Sequence, residues 1–334
     1  MYEFLGITLV LAMLLTVNAI ATAAATGLWR LLSRPMMRRS ARTRAELLFA
    51  MRIGPAAIAV IWIAAFLIPS YLVYEPYKTD EFVSKKLGAL AALSALGVGF
   101  AIWRGLRSWL ATRSLLQTWL ANATSIELAD LNVPAFRMVH SFPIIAVVGT
   151  FRPRLFIAEH VLESLTKDEL AAAIAHEYGH MAAHDNFKRS MLRASRAALL
   201  IIPCGRSLDR AWGEAAEAAA DEHAAQKSAN VALNLASALV RIARLIPAEQ
   251  RVALPSSAYL VGGEETRGVK ARVRRLLELS STDPSQLVSS APLFRLIPWM
   301  LLVFVVMLGL TIESRPQVLA SVHGLIENVV AILS

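Results

Sequence analysis

Four long apolar runs alternate with arginine-rich or mixed-charge segments along the chain. The first, residues 4–29, is broken only by small or weakly polar side chains and is long enough to cross a hydrocarbon layer of roughly 30 Å. Glu3 precedes it and the basic residues follow it, the reverse of a cleavable signal peptide, so the run predicts a retained span. The second, residues 53–74, lies between Arg52 and a polar stretch, 75–86. The third, residues 87–103, is shorter and rich in alanine. The fourth, residues 296–312, follows Arg295 and contains Trp299, an aromatic suited to a membrane interface. Between the third and fourth runs the pattern changes. It reads as helix to about residue 122, then as two or three short strands from Phe136 to Ile157, with a turn at Gly149-Thr150-Phe151-Arg152-Pro153. Thr166 and Glu169 have capping-box spacing and start a helix that Leu170, Ala173, Ile174 and Ala175 carry forward. The apolar stretch 192–202 is punctuated by Arg193 and Arg196 and ended by Pro203; it is too short to span and is expected to cover the helix before it. Further helices are expected at 207–221, 231–246 and 269–279, then a linker at 280–285. After Arg315, Leu319, Val322, Leu325, Val329 and Ile332 with Glu327 among them predict an interfacial amphipathic helix. The expected architecture is a mainly α membrane protein with about four transmembrane helices. It has a membrane domain at 1–106, a mostly helical domain with a small sheet at 107–290, and the fourth span with a short tail at 291–334.

Composition agrees: 56% hydrophobic residues and a mean hydropathy of +0.51 exceed what an ordinary soluble protein carries. The net charge of +9 does not point to nucleic acid. No aromatic-interleaved basic surface accompanies it, and Arg30, Arg34, Arg38, Arg39, Arg42 and Arg44 crowd the end of the first span, where anionic lipid would hold them. The next loop balances Lys78, Lys85 and Lys86 against Glu75, Asp80 and Glu81, so the first loop is expected in the cytoplasm. Counting crossings puts the 107–290 domain there too, in a multi-pass protein of the inner membrane. Were the third run to pack without crossing, the domain would lie on the other side. Cys204, beside Ile201, Ile202 and Pro203, reads as a packing residue.

The chemistry concentrates in His176-Glu177-Tyr178-Gly179-His180. Residues four apart share a helix face, so both imidazoles can point at one zinc ion, with Glu177 beside it to deprotonate water. A catalytic site needs a third protein ligand and an open position. Glu217-Ala218-Ala219-Ala220-Asp221 offers it: Glu217 to bind the ion, and Asp221, one turn on, to accept a hydrogen bond from a ligand histidine. Glu214 and Glu222 are neighbouring alternatives for the ligand. The alanines between let this helix approach closely.

These residues, with Val148-Gly149-Thr150-Phe151-Arg152-Pro153-Arg154-Leu155-Phe156-Ile157 and Leu165-Thr166-Lys167-Asp168-Glu169-Leu170, resemble the gluzincin membrane metallopeptidases, and most closely the BlaR/MecR-type antirepressor peptidases. The related HtpX and CAAX-prenyl-protease family has the same metal motif, but HtpX members place spans between the histidine and glutamate helices. The resemblance implies Zn2+ held by His176, His180 and Glu217, Glu177 as general base, Asp221 behind a ligand histidine, and Asp185 at a matching position of less defined role. It further implies a substrate-aligning strand at Ile144, Ile145, Ala146, Val147 and Val148. The β-lactam sensors of that family continue into an extracellular penicillin-binding domain; this chain ends soon after Ile312, so a separate sensor partner is expected if it signals. A winged-helix repressor is one candidate substrate; membrane-protein quality control is the alternative. The rivals are a non-catalytic membrane signalling or scaffold protein, against which the intact Glu177 argues, and an intramembrane protease, against which Lys167, Asp168, Glu169, His184, Asp185 and Lys188 argue. His184 reads as a surface residue at the helix end, and His223 as a possible donor to the tetrahedral intermediate. His140, His160 and His323 have no partner pattern.

Overall fold

The computed structural model describes residues 2–75, 83–128, 133–150, 152–199, 205–246, 265–281 and 316–333, together with Val303 and Met307. Cys204, the 282–285 part of the linker and all but two residues of the fourth apolar run lie outside them.

Among the described residues, three helical segments are long and apolar enough to cross a membrane. The first is α1 (Tyr2–Met36). The second starts as α2 (Ala41–Trp62), passes a π-helical turn at Ile63–Leu67, and ends as α3 (Ile68–Tyr74). The wide turn sits just before Pro69, whose missing N–H cannot continue the regular ladder. The third is α4 (Lys85–Ala121). Side chains cap two of these starts: Ser40 Oγ accepts from Thr43 N–H at 3.3 Å and Ser84 Oγ from Leu87 N–H at 3.1 Å.

The third run therefore lies inside a longer helix, and the expected boundary at residue 106 falls within it. At 37 residues α4 is about 55 Å long, well beyond the hydrocarbon thickness. No Pro interrupts it, and α7 packs against it, so nothing ends it after the apolar run. Leu96, Ile102, Trp103, Leu106, Trp109 and Leu110 are exposed along it, with the Arg107 and Arg113 guanidinium groups over the Trp103 and Trp109 rings.

α4 leads into a four-stranded sheet of order β1-β2-β4-β3: β1 (Ala123–Ile126), β2 (Ala135–Met138), β3 (Ile145–Val148) and β4 (Arg154–Ala158). β2 and β4 are parallel, and the other two pairs antiparallel. Leu155, Phe156, Ile157 and Ala158 are fully buried. Trp119 at the end of α4 meets Phe156 edge-on at 5.2 Å between centroids, which ties the long helix to the sheet core.

The helices follow in order: α5 (Glu159–Ser164), α6 (Lys167–Ala182), α7 (Asp185–Ala198), α8 (Arg206–Ala225), α9 (Ala229–Leu245) and α10 (Glu265–Ser280). The capping box forms: Thr166 Oγ1 accepts from Glu169 N–H at 3.2 Å, and Glu169 Oε2 accepts from Thr166 N–H at 2.9 Å. Stretch 192–202 departs from expectation. Its described part belongs to α7, which packs against α4 and α2 rather than over α6. Buried Leu192 joins Leu48, Leu208 and Trp212 in an apolar cluster between α2, α7 and α8.

The tail forms α11 (Pro316–Leu333). Its Leu319, Val322 and Ile326 are buried, with Val322 and Ile326 packed against Leu5, Leu9, Leu67 and Leu87. Ser70 Oγ donates to Leu319 O at 3.0 Å.

Candidate metal centre

α6 presents His176 and His180 on one face, and α8 lies across it because Gly179 lets the helices touch. A Cβ at Gly179 would stand 3.0 Å from Ala220 Cα. This contact brings Glu217 onto both histidines: Glu217 Oε2 is 3.7 Å from His176 Nε2, and Oε1 is 3.6 Å from His180 Nε2. Ligands about 2.0–2.1 Å from a tetrahedral zinc lie roughly 3.4 Å apart, so these spacings fit such an ion with little movement. One ligand atom from each residue lies within 4.8 Å of the others.

The tautomers are set from behind. His176 Nδ1 lies 2.9 Å from Asp221 Oδ1, and His180 Nδ1 lies 2.7 Å from Asp185 Oδ2. A carboxylate on each Nδ1 holds a hydrogen there and turns each Nε2 toward Glu217, with Arg272 Nη2 also 3.3 Å from His176 Nε2. Asp185 reaches back because His184, at φ 54° in the left-handed region, ends α6 sharply and starts α7. His184 itself is exposed.

Glu177 is buried, and its Oε2 accepts from Val147 N–H of β3 at 3.3 Å. Burial pushes its carboxyl above the ordinary value and Glu217 adds to this, against the pull of His180 and His176. Glu217 is held well below the ordinary range: burial opposes ionisation, but His180, Arg272 and His176 outweigh it. His180 is raised to about 10, because Glu217 and Asp185 overcome the effect of burial.

Of the alternative ligands, Glu214 is exposed. Glu222 points away, accepting from Arg275 Nη2 at 2.6 Å and from Ala41 N–H at 2.9 Å. His223 stacks on Tyr178 at 5.8 Å between centroids, on the far side of α6 from the metal-facing imidazoles. There it lines a cavity of about 140 Å³ with Ser40, Arg42 and Lys188, so it does not face the reacting position as the sequence suggested. His140 packs edge-on against Trp119, and His323 lies in α11.

Sequence reasoning missed two arginines. Arg272 of α10 grips Asp221 through Nη2 at 2.6 Å and Nε at 3.2 Å, and its Nη1 lies 3.3 Å from Glu217 Oε2. Arg189 of α7 donates to Glu217 Oε1 at 3.0 Å. Both come from helices whose pattern shows only a basic face, and nothing local marks them as belonging to the site.

A family model, Peptidase family M48, matches residues 118–290. The chain belongs to that family. The match covers the sheet, the histidine helix and the glutamate helix, and agrees with the BlaR/HtpX-type resemblance. The protein is thus a peptidase of family M48 joined to apolar helices. No curated protein matches the chain.

Proposed function

We propose that this M48 peptidase is a zinc-dependent endopeptidase that cleaves protein segments at the cytoplasmic surface of the membrane. The carrying observation is the convergence of His176 Nε2, His180 Nε2 and Glu217, with both histidine tautomers held by Asp221 and Asp185 and with Glu177 alongside. Zinc held by those three residues would supply Lewis acidity toward water and the scissile carbonyl. Glu177, its pKa raised by burial, takes the proton from the attacking water and passes it to the leaving amine. Asp221 and Asp185 keep the imidazoles oriented, and Arg272 fixes Asp221 and Glu217 relative to each other.

The cytoplasmic setting is supported by contacts between the arginine-rich first loop and the peptidase helices. Ala41 N–H at the start of α2 donates to Glu222, and Lys188 Nζ donates to Glu46 in the second turn of α2 at 2.6 Å, which supports a site on the same side as the arginine-rich segment that leads into α2. Regulatory cleavage of a winged-helix repressor fits an accessible site on that side, with a separate sensor acting through the membrane helices.

The test uses the purified full-length protein in lipid nanodiscs with denatured β-casein. Glu177→Gln should lower cleavage by about 10²- to 10⁴-fold while zinc content stays at one ion per chain. Equal cleavage by parent and variant, or none by a zinc-loaded parent, defeats the reading. The repressor assignment is tested separately, by incubating a purified winged-helix repressor with parent and Glu177→Gln protein.

A further inference from the structure

The edge strand β3 carries a feature that bears on how substrate is placed. Ile144 O accepts from Ala158 N–H at 2.8 Å. In an antiparallel pair the polar groups alternate sides, so Ile144, Ala146 and Val148 turn toward β4 while Ile145 and Val147 turn outward. Both outward groups of Val147 are taken: its N–H by Glu177, and its carbonyl by Asn186 Nδ2 at 3.0 Å. The same Asn186 Nδ2 donates at 3.2 Å to Gly149 O, the next outward carbonyl. Two carbonyl acceptors require the amide nitrogen, which fixes the orientation of the side chain. Gly149 holds φ 110°, and a Cβ there would stand 2.6 Å from Arg152 O, so the carbonyl that Asn186 grips belongs to a turn only glycine makes without strain.

We infer that Asn186 is a positioning residue that acts as a register stop for substrate. The inference rests on the endopeptidase reading and on strand addition along β3. Asn186 lies along the outer edge from Val147 to Gly149, where the next stretch of an added strand would run. Ile145 is buried, so a substrate strand pairs beside it only as the cover over that edge moves aside, and it then reaches Val147, beside Glu177. Past that point Asn186 holds the edge and turns the substrate away. The carbonyl of Val147 keeps a second lone pair for a substrate N–H, so the stop need not move for the strand to bind. Asn186 also follows Asp185 directly, so the residue orienting His180 and the residue stopping the strand sit on one turn of α7. Distance along β3 and distance to the metal ligands are thereby fixed together, which selects one scissile bond.

The experiment takes the shortest β-casein peptide that the zinc-loaded parent cleaves at a single bond. Asn186→Ala and Asn186→Asp, which both lose the N–H donors, should add products displaced by two residues, the smallest slip that keeps the same side-chain face. KM should rise about five- to tenfold, with a smaller change in kcat. Asn186→Gln, which keeps the donors, should restore part of the single-bond selectivity. A purely structural role would lower activity at the same bond. A second arm leaves the protein unchanged and methylates the peptide's backbone nitrogens one at a time. Loss of cleavage should be confined to one side of the scissile bond; sensitivity on both sides means the strand runs past Asn186 and overturns the inference, as does unchanged bond and KM in all variants. A zinc-loaded parent that cuts no peptide refutes the endopeptidase reading itself, and the stop with it.

Discussion

Removing either partner of the buried pair Arg52–Asp209 should destabilise the protein, and unequally. Arg52 comes from α2 and is wholly buried. Its Nε donates to Asp209 Oδ1 at 3.0 Å and its Nη1 to Ser195 Oγ at 2.7 Å, while Nη2 has no partner among the described residues. Gly205, at φ 88°, gives it room, since a Cβ there would stand 2.8 Å from Arg52 Nε. Asp209 has a second cation, Arg196 Nε at 2.9 Å, which is half exposed. Asp209→Ala therefore strands a guanidinium that already lacks one partner, and breaking a buried pair this way costs about 3–5 kcal/mol. Arg52→Met leaves Asp209 still paired and refills the socket with apolar volume, so its cost should be about 1–2 kcal/mol. The double variant should cost less than the sum, since the stranded charge is gone. The assay is denaturant unfolding in detergent followed by tryptophan fluorescence. Buried Trp212, in the apolar cluster beside the pair, reports locally. Arg52→Met equal to or worse than Asp209→Ala, or strict additivity, would refute the account.

Other outcomes follow from the same geometry. Arg272→Met should cost about 3 kcal/mol in chelator-treated protein, where Asp221 and Glu217 lose their shared cation, and less with zinc loaded; thermal unfolding with and without zinc measures the gap. Gly179→Ala puts a methyl group against Ala220 and His223 Cβ, 3.0 and 3.2 Å away, so it should cost about 1–3 kcal/mol and weaken zinc retention by pushing Glu217 off the histidines, read by metal content after dialysis. Glu169 is buried, which alone would raise its pKa, yet Ser237, the Thr166 amide and Arg241 hold it below the ordinary value. A carboxyl lowered on folding stabilises above its unfolded pKa and loses that contribution as pH falls through the folded one. The stability gap between parent and Glu169→Gln should thus be constant near neutrality and close as pH drops below about 4.5.

Much of this was legible because its signals are local. Span length is a run of apolar residues, the capping box is a three-residue spacing, and the metal pair is one helical turn, so α1, α6 and the histidines could be placed from short windows. Glu217 and Asp221 were legible because alanines surround them, and close helix approach needs small residues. The rest depends on partners far apart in sequence. β1 is four residues with Ile126 as its one large apolar side chain, and it is a strand because β2 lies beside it. The helical phase of His223 was readable, but which side of α6 it would meet depends on how α8 crosses, and that is set at Gly179. Arg272 and Arg189 look like solvated basic faces until α10 and α7 are folded against α8. The continuity of α4 beyond its apolar run has the same origin, since α7 gives it a surface to pack on.

These long-range contacts gather on α8, which suggests how the membrane helices bear on the metal site. Ala41, Ala45, Leu48 and Arg52 form one buried stripe on α2, and the same helix continues into the apolar span. Ala45 and Leu48 join the cluster that holds Leu208, Trp212, Ala215 and Ala216 of α8, and Arg52 is anchored to Asp209 in the first turn of α8. Glu217 follows Ala216 directly. A packed interior transmits displacement because it has no slack to absorb it, so a tilt of α2 that kept the Arg52–Asp209 pair intact would carry the start of α8 with it. Glu217 lies only about 12 Å along the helix from Asp209, and a shift of about 1 Å there is comparable to the difference between 3.6 Å and a spacing that no single ion can bridge. Arg272 and Glu222–Arg275 brace the other end of α8 against α10. The helix that carries Glu217, the proposed third ligand, is thus held at one end to a candidate membrane span and at the other to the peptidase fold, so both attachments bear on where Glu217 sits beside His176 and His180.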